Sequence, residues 1–243
     1  DITISSHKYI QTGSKTSKFG LSKDAVKQIS ELSKEDKHIN ITTIACHIGS
    51  QISDENLILN SLDFIGEIAD DLRSNGHNIE YLDIGGGLGI RYKDEDLGDP
   101  QILLTQVNDR LKDKDYKIIL EPGRSIVGTA GMLVTQIEYI KDAGDKKFAI
   151  IDAGMNDLIR PSLYEAWHGV KEVEQKDIEV ATYDLAGPVC ETGDVLAKDR
   201  ELRILPNDYL AIMDVGAYGS VMASNYNSRS KPVELLVSED KVQ

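Results

Sequence analysis

The 243-residue chain carries 27 Lys and Arg against 41 Asp and Glu, which gives a formal net charge of −14 at pH 7. A surplus of this size argues against nucleic acid or an anionic membrane surface as a partner, because both repel an acidic protein. Two cysteines make no disulfide framework and no apolar run is long enough to span a bilayer, so we expect a cytoplasmic protein.

The first half of the chain alternates short apolar strands with amphipathic helices. Strands are predicted in DITIS, INITTIACHI, IEYLDI and YKIIL, and helices in LSKDAVKQISELSKE, DENLILNSLDFIGEIADDLRS and QILLTQVNDRLKD. Ser22 and Ser53 are expected to cap the first two helices, and Asp99-Pro100 opens the third. Apolar strands that alternate with helices predict a parallel sheet. The pattern fits half of a (β/α)8 barrel, with a flavodoxin-like open sheet as the alternative.

The pattern changes from Met132 onward. Short strands separated by Gly, Asp and Pro are predicted in MLVTQIEYI, KKFAIIDAG, IEVATYDLAGP, DYLAIMDVGAY and KPVELLVS. We therefore predict a partial barrel over residues 1–131 and a mainly antiparallel β domain over residues 132–243. Because the sequence starts without Met inside a strand pattern and stops soon after an apolar run, we expect both ends to have been cut.

Polar and glycine residues follow three of the predicted parallel strands, where ligands of such sheets bind. The second strand ends in CHIGSQ, with His47 and Ser50, and the fourth ends in EPGR. The third ends in YLDIGGGLGI, and its glycines Gly85–Gly87 indicate either a tight turn or a backbone that lies against a phosphate. A Rossmann fingerprint does not fit, because Ile90 stands where its third glycine belongs.

Three side chains at these strand ends suggest what the ligand could be. Arg124 could hold a phosphate or a carboxylate, although it could also simply pair with Glu121. Glu121 could meet a ring nitrogen, and His47 could stack on a flat cofactor or be an ordinary core histidine. Taken together, a phosphate site, a carboxylate for a ring nitrogen and a flat imidazole describe pyridoxal phosphate.

Six motifs in chain order resemble those of the diaminopimelate decarboxylase family. They are HIGSQ, YLDIGGGLGI, EPGRSIVGTAG, LIRPSLYEAWH, GPVCETGD and DVGAYGSVMASNYN. The family consists of fold-type III pyridoxal-phosphate enzymes with a (β/α)8 barrel and a β domain, and the resemblance covers essentially the whole chain.

The resemblance implies a role for each matching residue and no metal. The implied cofactor-binding residues are His47, Ser50, Gly85, Gly86, Gly87, Glu121, Pro122, Gly123, Arg124 and Tyr218. The implied substrate-binding residues are Arg124, Arg160, Tyr164, Glu191 and Tyr218. Cys190 would be the proton donor and would reach the site of the partner subunit in a homodimer, with Glu121 and His47 also catalytic.

The expected reaction is decarboxylation of meso-2,6-diaminopimelate to L-lysine and CO2, the last step of lysine biosynthesis. The alternatives are a decarboxylase of lysine, ornithine or arginine, and a non-catalytic homologue that binds the cofactor. Arg160 favours a substrate with a second carboxylate. The lysine that carries the cofactor in the family has no counterpart in a matching motif, so we expect this chain to be inactive by itself.

Overall fold

The computed structural model describes residue 13, residues 17–239 and residues 241–242. The described residues form two compact units, one up to Arg91 plus Glu95–Ser125, the other Tyr92–Asp94 plus the residues from Ile126 onward. The strand predicted in DITIS lies outside the described residues. Within them, none of the helices combines the length and the apolar character that crossing a membrane requires.

The first unit is a three-stranded parallel sheet with helices between its strands. Its elements are α1 (Lys23–Glu35), β1 (Thr43–Ala45), α2 (Glu55–Ser74), β2 (Tyr81–Asp83), α3 (Pro100–Leu111), β3 (Lys117–Ile119) and the start of α4 (Arg124–Val127). The strand order is β1-β2-β3, and both pairings are parallel. The prediction of a parallel α/β arrangement is therefore confirmed.

Side-chain caps fix where the helices begin. The Ser22 side chain accepts a hydrogen bond from the Ala25 N–H, and Asp99 accepts one from the Gln101 N–H, as the sequence predicts. The cap predicted at Ser53 is wrong, because α2 begins one residue later and Asp54 accepts from the Asn56 N–H instead. Aspartate caps as well as serine does, so both side chains suited the position.

The core of the first unit lies between α2 and the sheet. Leu62, Ile65 and Leu72 of α2 and Leu82 of β2 are each 3% exposed or less, and all belong to one apolar cluster. Each such side chain contributes about 1.5–3 kcal/mol by leaving water. This packing holds the three strands in register, so that their carboxyl ends share one edge.

The second unit is a six-stranded sheet in the order β6-β9-β4-β5-β7-β8. Its elements are β4 (Leu133–Asp142), β5 (Lys147–Ile151), α5 (Arg160–Tyr164), β6 (Val170–Glu172), β7 (Ala181–Ala186), β8 (Val195–Leu202) and β9 (Tyr209–Ile212), with a separate pair β10 (Val237–Ser238) and β11 (Lys241–Val242). The β5–β7 pairing is parallel and the other pairings are antiparallel. The expected fold class, α/β followed by mainly antiparallel β, is confirmed.

Several parts of this unit differ from the sequence prediction, which contains neither the helix α5 nor the short strand β6. The strand predicted in KPVELLVS is wrong over most of its length, because only Val237–Ser238 pairs, and Val233 and Leu236 are exposed. Strand β8 was not predicted, because its VLAKDREL sequence does not alternate between apolar and polar residues. Asp199 has φ +54° there, and the β7–β8 register shifts beside it, so the strand bulges and the alternation is lost.

Candidate functional site

The carboxyl ends of β1, β2 and β3 bring three of the sequence motifs together at one edge of the first unit. The Gly86 N–H donates to Nδ1 of His47, with 3.2 Å between the two nitrogens. On the other side, the Glu121 N–H donates to the carbonyl oxygen of Gly85 at 2.9 Å. The glycine turn after β2 is therefore bonded to the segment after β1 and to the segment after β3.

The glycines are needed because neighbouring main chains approach the turn closely. A Cβ on Gly86 would lie 2.1 Å from the carbonyl oxygen of Glu121, and one on Gly87 would lie 2.3 Å from that of Gly49. Gly85 and Gly87 also have φ angles of +68° and +97°, which side chains disfavour. Of the two sequence interpretations, a tight turn accounts for all three glycines, and phosphate binding stays a prediction.

Arg124 lies beneath the same edge with its guanidinium held in place. It is 5% exposed, and its Nε and Nη2 donate to the Ser50 hydroxyl at 3.3 and 3.0 Å. The Glu121 side chain is exposed, and a Cβ on Gly123 would meet no atom within 4 Å. The structure thus combines a buried cation with an open surface beside it.

In the second unit, the predicted substrate residue Arg160 is buried rather than exposed. Its Nη1 lies 2.9 Å from Nε2 of His168, whose Nδ1 lies 2.8 Å from the carbonyl oxygen of Met213. Since a carbonyl can only accept, His168 carries its proton on Nδ1 and accepts from Arg160 through Nε2. The Tyr92 ring faces the guanidinium, with 5.0 Å from its centroid to Cζ of Arg160.

Cys190 and Glu191 lie on the connection between β7 and β8, and both are exposed. The Ser162 hydroxyl of α5 donates to the carbonyl oxygen of Gly193 at 2.7 Å. This bond joins the helix that carries Arg160 and Tyr164 to the connection that carries Cys190 and Glu191. Four predicted residues therefore belong to one region of the second unit.

Two tyrosines of the C-terminal motif lie near the surface. Tyr218 is 45% exposed and has a left-handed φ of +60°. Tyr226, for which the sequence suggested no role, donates a hydrogen bond from its hydroxyl to Oε1 of Glu191. This hydrogen bond raises the pKa of Tyr226, because the phenol proton is shared with a carboxylate.

Sequence reasoning missed His168 and Tyr226, although both lie inside motifs quoted for the resemblance. The sequence shows only that His168 follows Arg160 by eight residues, and the burial that makes them partners is visible in the structure alone. No local signal existed for Tyr226, because its partner Glu191 is 35 residues away.

Comparison with known proteins identifies the family of the chain. The family model described as "Pyridoxal-dependent decarboxylase, C-terminal sheet domain" matches residues 9–216. The chain belongs to the pyridoxal-dependent decarboxylase family. The prediction of a pyridoxal-phosphate-dependent decarboxylase is therefore confirmed at the level of this family.

Individual members of this decarboxylase family are similar to the chain over almost its whole length. Diaminopimelate decarboxylase of Pseudomonas aeruginosa is 44% identical over 99% of this chain and 58% of its own length. The Aquifex aeolicus enzyme of that name is 45% identical over 100% of this chain and 58% of its own. The Helicobacter pylori diaminopimelate decarboxylase solved with L-lysine has a TM-score of 0.92 and 40% identity, over 98% of this chain and 60% of that one. The chain thus spans about 58% of the length of the curated relatives it matches.

Proposed function

We propose that the full-length protein with this chain decarboxylates meso-2,6-diaminopimelate to L-lysine and CO2, using pyridoxal 5'-phosphate, as the last step of lysine biosynthesis. The observation that carries the proposal is the meeting of His47, the Gly85–Gly87 turn and Glu121–Arg124 at one sheet edge. Relatives about 44% identical over 99% of the chain bear the name of this enzyme. We further propose that the first unit is part of a (β/α)8 barrel and residues 132–243 are the β domain.

The side chains at the edge of the first unit fit a phosphorylated pyridine. Arg124 and Ser50 supply a guanidinium and a hydroxyl for an anion, and the surface at Gly123 is open. The His47 ring is held through Nδ1 by the Gly86 N–H, so a flat face is kept in one orientation. The exposed Glu121 carboxylate provides the acceptor that a protonated ring nitrogen requires.

Pyridoxal phosphate, when bound, supplies a sink for the electron pair that departing CO2 leaves behind. The Glu121 carboxylate holds the proton on the ring nitrogen, because an anion beside a pyridinium stabilises it. His47 would stack on the cofactor ring, and Gly85–Gly87, Pro122, Gly123 and Arg124 would hold the phosphate. The Cys190 thiol then returns a proton to the substrate carbon as a general acid.

Most of the residues proposed to recognise the substrate belong to the second unit, and Arg124 of the first unit is proposed to contact it as well. Arg160 meets the carboxylate at the far end of the substrate, because a guanidinium binds a carboxylate through two parallel bonds. Glu191 meets the ammonium group at that end. The roles of Tyr164 and of Tyr218, which would contact phosphate and substrate, are supported by the motif resemblance alone.

We also propose a homodimer in which Cys190 serves the site of the partner subunit. Mixing a Cys190→Ala protein with an Arg124→Ala protein tests this, since one site of the mixed dimer would carry both substitutions and the other neither. Partial recovery of activity is expected, and no recovery would contradict the shared site. A cytoplasmic location is proposed as well, because a thiol acid requires a reducing compartment.

The decisive experiment compares substrates and one variant in the full-length protein. We expect CO2 release from meso-diaminopimelate to exceed that from lysine, ornithine and arginine by at least about a thousandfold in kcat/KM. These three amino acids lack the second carboxylate that the buried Arg160 guanidinium is proposed to bind, and a site built for a polar group strongly rejects a substrate without it. Cys190→Ala should abolish turnover and keep the absorbance of bound cofactor. Preference for another amino acid would identify a different decarboxylase, and cofactor binding without turnover would identify a non-catalytic homologue.

A further inference from the structure

The connection between β7 and β8, residues 187–194, is folded back on itself by main-chain hydrogen bonds. The Gly187 N–H donates to the Asp194 carbonyl at 2.9 Å, and the Asp194 N–H donates to the Glu191 carbonyl at 3.0 Å. A third bond runs from the Glu191 N–H to the Val189 carbonyl at 2.8 Å. We call this segment the 187–194 loop; Cys190 lies at its exposed side.

The Asp194 side chain lies underneath the loop and is 2% exposed. Its Oδ2 accepts from the Val189 N–H at 2.7 Å, and its Oδ1 accepts from the Met155 N–H at 2.6 Å. Val189 immediately precedes Cys190, and Met155 lies in the segment that follows β5. One carboxylate therefore bonds the loop to a neighbouring main-chain segment.

Gly187 leaves the space that the carboxylate occupies. A Cβ at this position would lie 2.4 Å from Oδ2 and 2.6 Å from Oδ1 of Asp194. Any larger residue would push the carboxylate away from the two N–H groups. Gly187 and Asp194 are thus matched in shape.

The segment on the other side of Asp194 is itself fixed. The Gly154 N–H donates to Oδ2 of Asp157 at 2.8 Å, and Nε of Arg229 donates to Oδ1 of Asn156 at 2.9 Å. Nη2 of Arg229 also lies 3.8 Å from Oδ2 of Asp157. Because this segment is held from several directions, a bond to Met155 restrains the 187–194 loop as well.

Burial raises the pKa of the Asp194 carboxyl, while its bonds to Val189 and Met155 and the charge of Arg229 act in the opposite direction. A carboxylate is tolerated in a protein interior only where hydrogen-bond donors replace the water molecules that it loses on burial. Both of its donors here are main-chain N–H groups, so its contribution is to backbone geometry.

We propose that Asp194 is a positioning residue that fixes the main chain at Val189 and so sets where Cys190 and Glu191 point. It acts through the main-chain N–H groups of Val189 and Met155. The claim that the 187–194 loop matters for turnover rests on the proposed function. The claim that Asp194 restrains the loop is independent of it.

Hydrogen–deuterium exchange in the full-length protein tests the restraint. In Asp194→Asn the amide group cannot accept from both N–H groups, so exchange at Val189 and Met155 should speed up about tenfold or more. Gly187→Ala leaves the carboxylate in the chain but displaces it, and should give the same signature. The matched control is Asp184→Asn: Asp184 is also buried, accepts one main-chain N–H, that of Asp199 at 2.9 Å, and pairs with Nζ of Lys146 at 2.6 Å. Exchange should therefore change only near Asp199 and Lys146, and not at Val189 or Met155.

Steady-state kinetics then separate positioning from general stability. Asp194→Asn and Gly187→Ala should lower kcat about tenfold or more with the absorbance of bound cofactor retained, and Asp184→Asn should not. Unchanged exchange at Val189, or faster exchange with unchanged kcat, would overturn the proposal. If the unsubstituted protein decarboxylates none of the amino acids tested, the proposed function fails, and the exchange data still decide whether Asp194 restrains the loop.

Discussion

The Gly86 N–H donates to Nδ1 of His47, with 3.2 Å between the two nitrogens, and this bond determines which nitrogen of the imidazole carries its proton. Nδ1 accepts, so the neutral ring is protonated on Nε2. The same glycine leaves no room for a side chain, because the Glu121 carbonyl lies where a Cβ would be. A single residue thereby controls the ring orientation of His47 and the spacing of two strand ends.

Gly86→Ala is expected to destabilise the protein by about 2–4 kcal/mol, because a contact of 2.1 Å with main chain forces the segments apart. Urea denaturation measures the free energy of unfolding. Gly66→Ala is the matched control: Gly66 lies inside α2 and its Cβ would meet only Nζ of Lys114 at 4.0 Å. That change should stabilise by about 0.5–1 kcal/mol, since alanine favours a helix. Equal effects at both positions would contradict the packing argument.

The sequence predicts those parts of the fold and the site that follow from neighbouring residues or from the order of the strands. It does not predict contacts between residues that are far apart in the chain. The edge of the first unit was predictable because parallel strands place their carboxyl ends together, so His47, the Gly85–Gly87 turn and Glu121 had to be neighbours. Asp194 was visible in GPVCETGD, but its inward direction depends on Met155, which is 39 residues away. Such pairings form only when distant strands pack, and strand periodicity carries no information about them.

His168→Leu is expected to cost about 2–4 kcal/mol of unfolding free energy. The change removes the acceptor of a buried Arg160 N–H and the donor to the Met213 carbonyl, and buried groups that lose a partner are costly. His77→Leu serves as the control, because His77 is only half-buried and bonds the Ser30 hydroxyl at 2.6 Å. Its loss should be about 0.5–1.5 kcal/mol. If the two variants unfold at the same urea concentration, burial of the Arg160–His168 pair adds nothing to the free energy of unfolding.

Tyr226→Phe is expected to raise KM for the substrate about three- to tenfold and to change kcat less. Its hydroxyl donates to Glu191, the residue proposed to meet the distal ammonium, and without that donor the carboxylate is free to turn. Steady-state kinetics of the full-length protein supply both constants. Tyr209→Phe, at an exposed position of β9, should leave them unchanged. An unaltered KM in Tyr226→Phe would mean that the hydrogen bond from Tyr226 does not orient the Glu191 carboxylate.

Tyr116 gives the first unit a distinct response to alkaline pH. Its hydroxyl donates to Oδ1 of Asp70 at 2.6 Å, while Nζ of Lys114 donates to Oδ2 at 2.7 Å. Burial, followed by the bond to Asp70, raises the pKa of Tyr116 from 10.0 to about 12. When a group has a higher pKa in the folded protein than in the unfolded chain, its protonated form stabilises the folded protein. This contribution is complete at pH values below the pKa of the unfolded chain, and it is lost as the pH rises through the pKa of the folded protein.

Tyr116→Phe should therefore cost stability at neutral pH, and the difference from the unsubstituted protein should shrink as pH rises from about 10 to about 12. The cost at neutral pH is expected at the lower end of about 0.5–1.5 kcal/mol, because Asp70 is exposed to water. Urea denaturation at a series of pH values measures this difference directly. Tyr139→Phe, at an exposed position of β4, controls for the general effect of alkali. A Tyr116→Phe deficit that stays constant across the alkaline range would show that the shared proton between Tyr116 and Asp70 contributes nothing to folding.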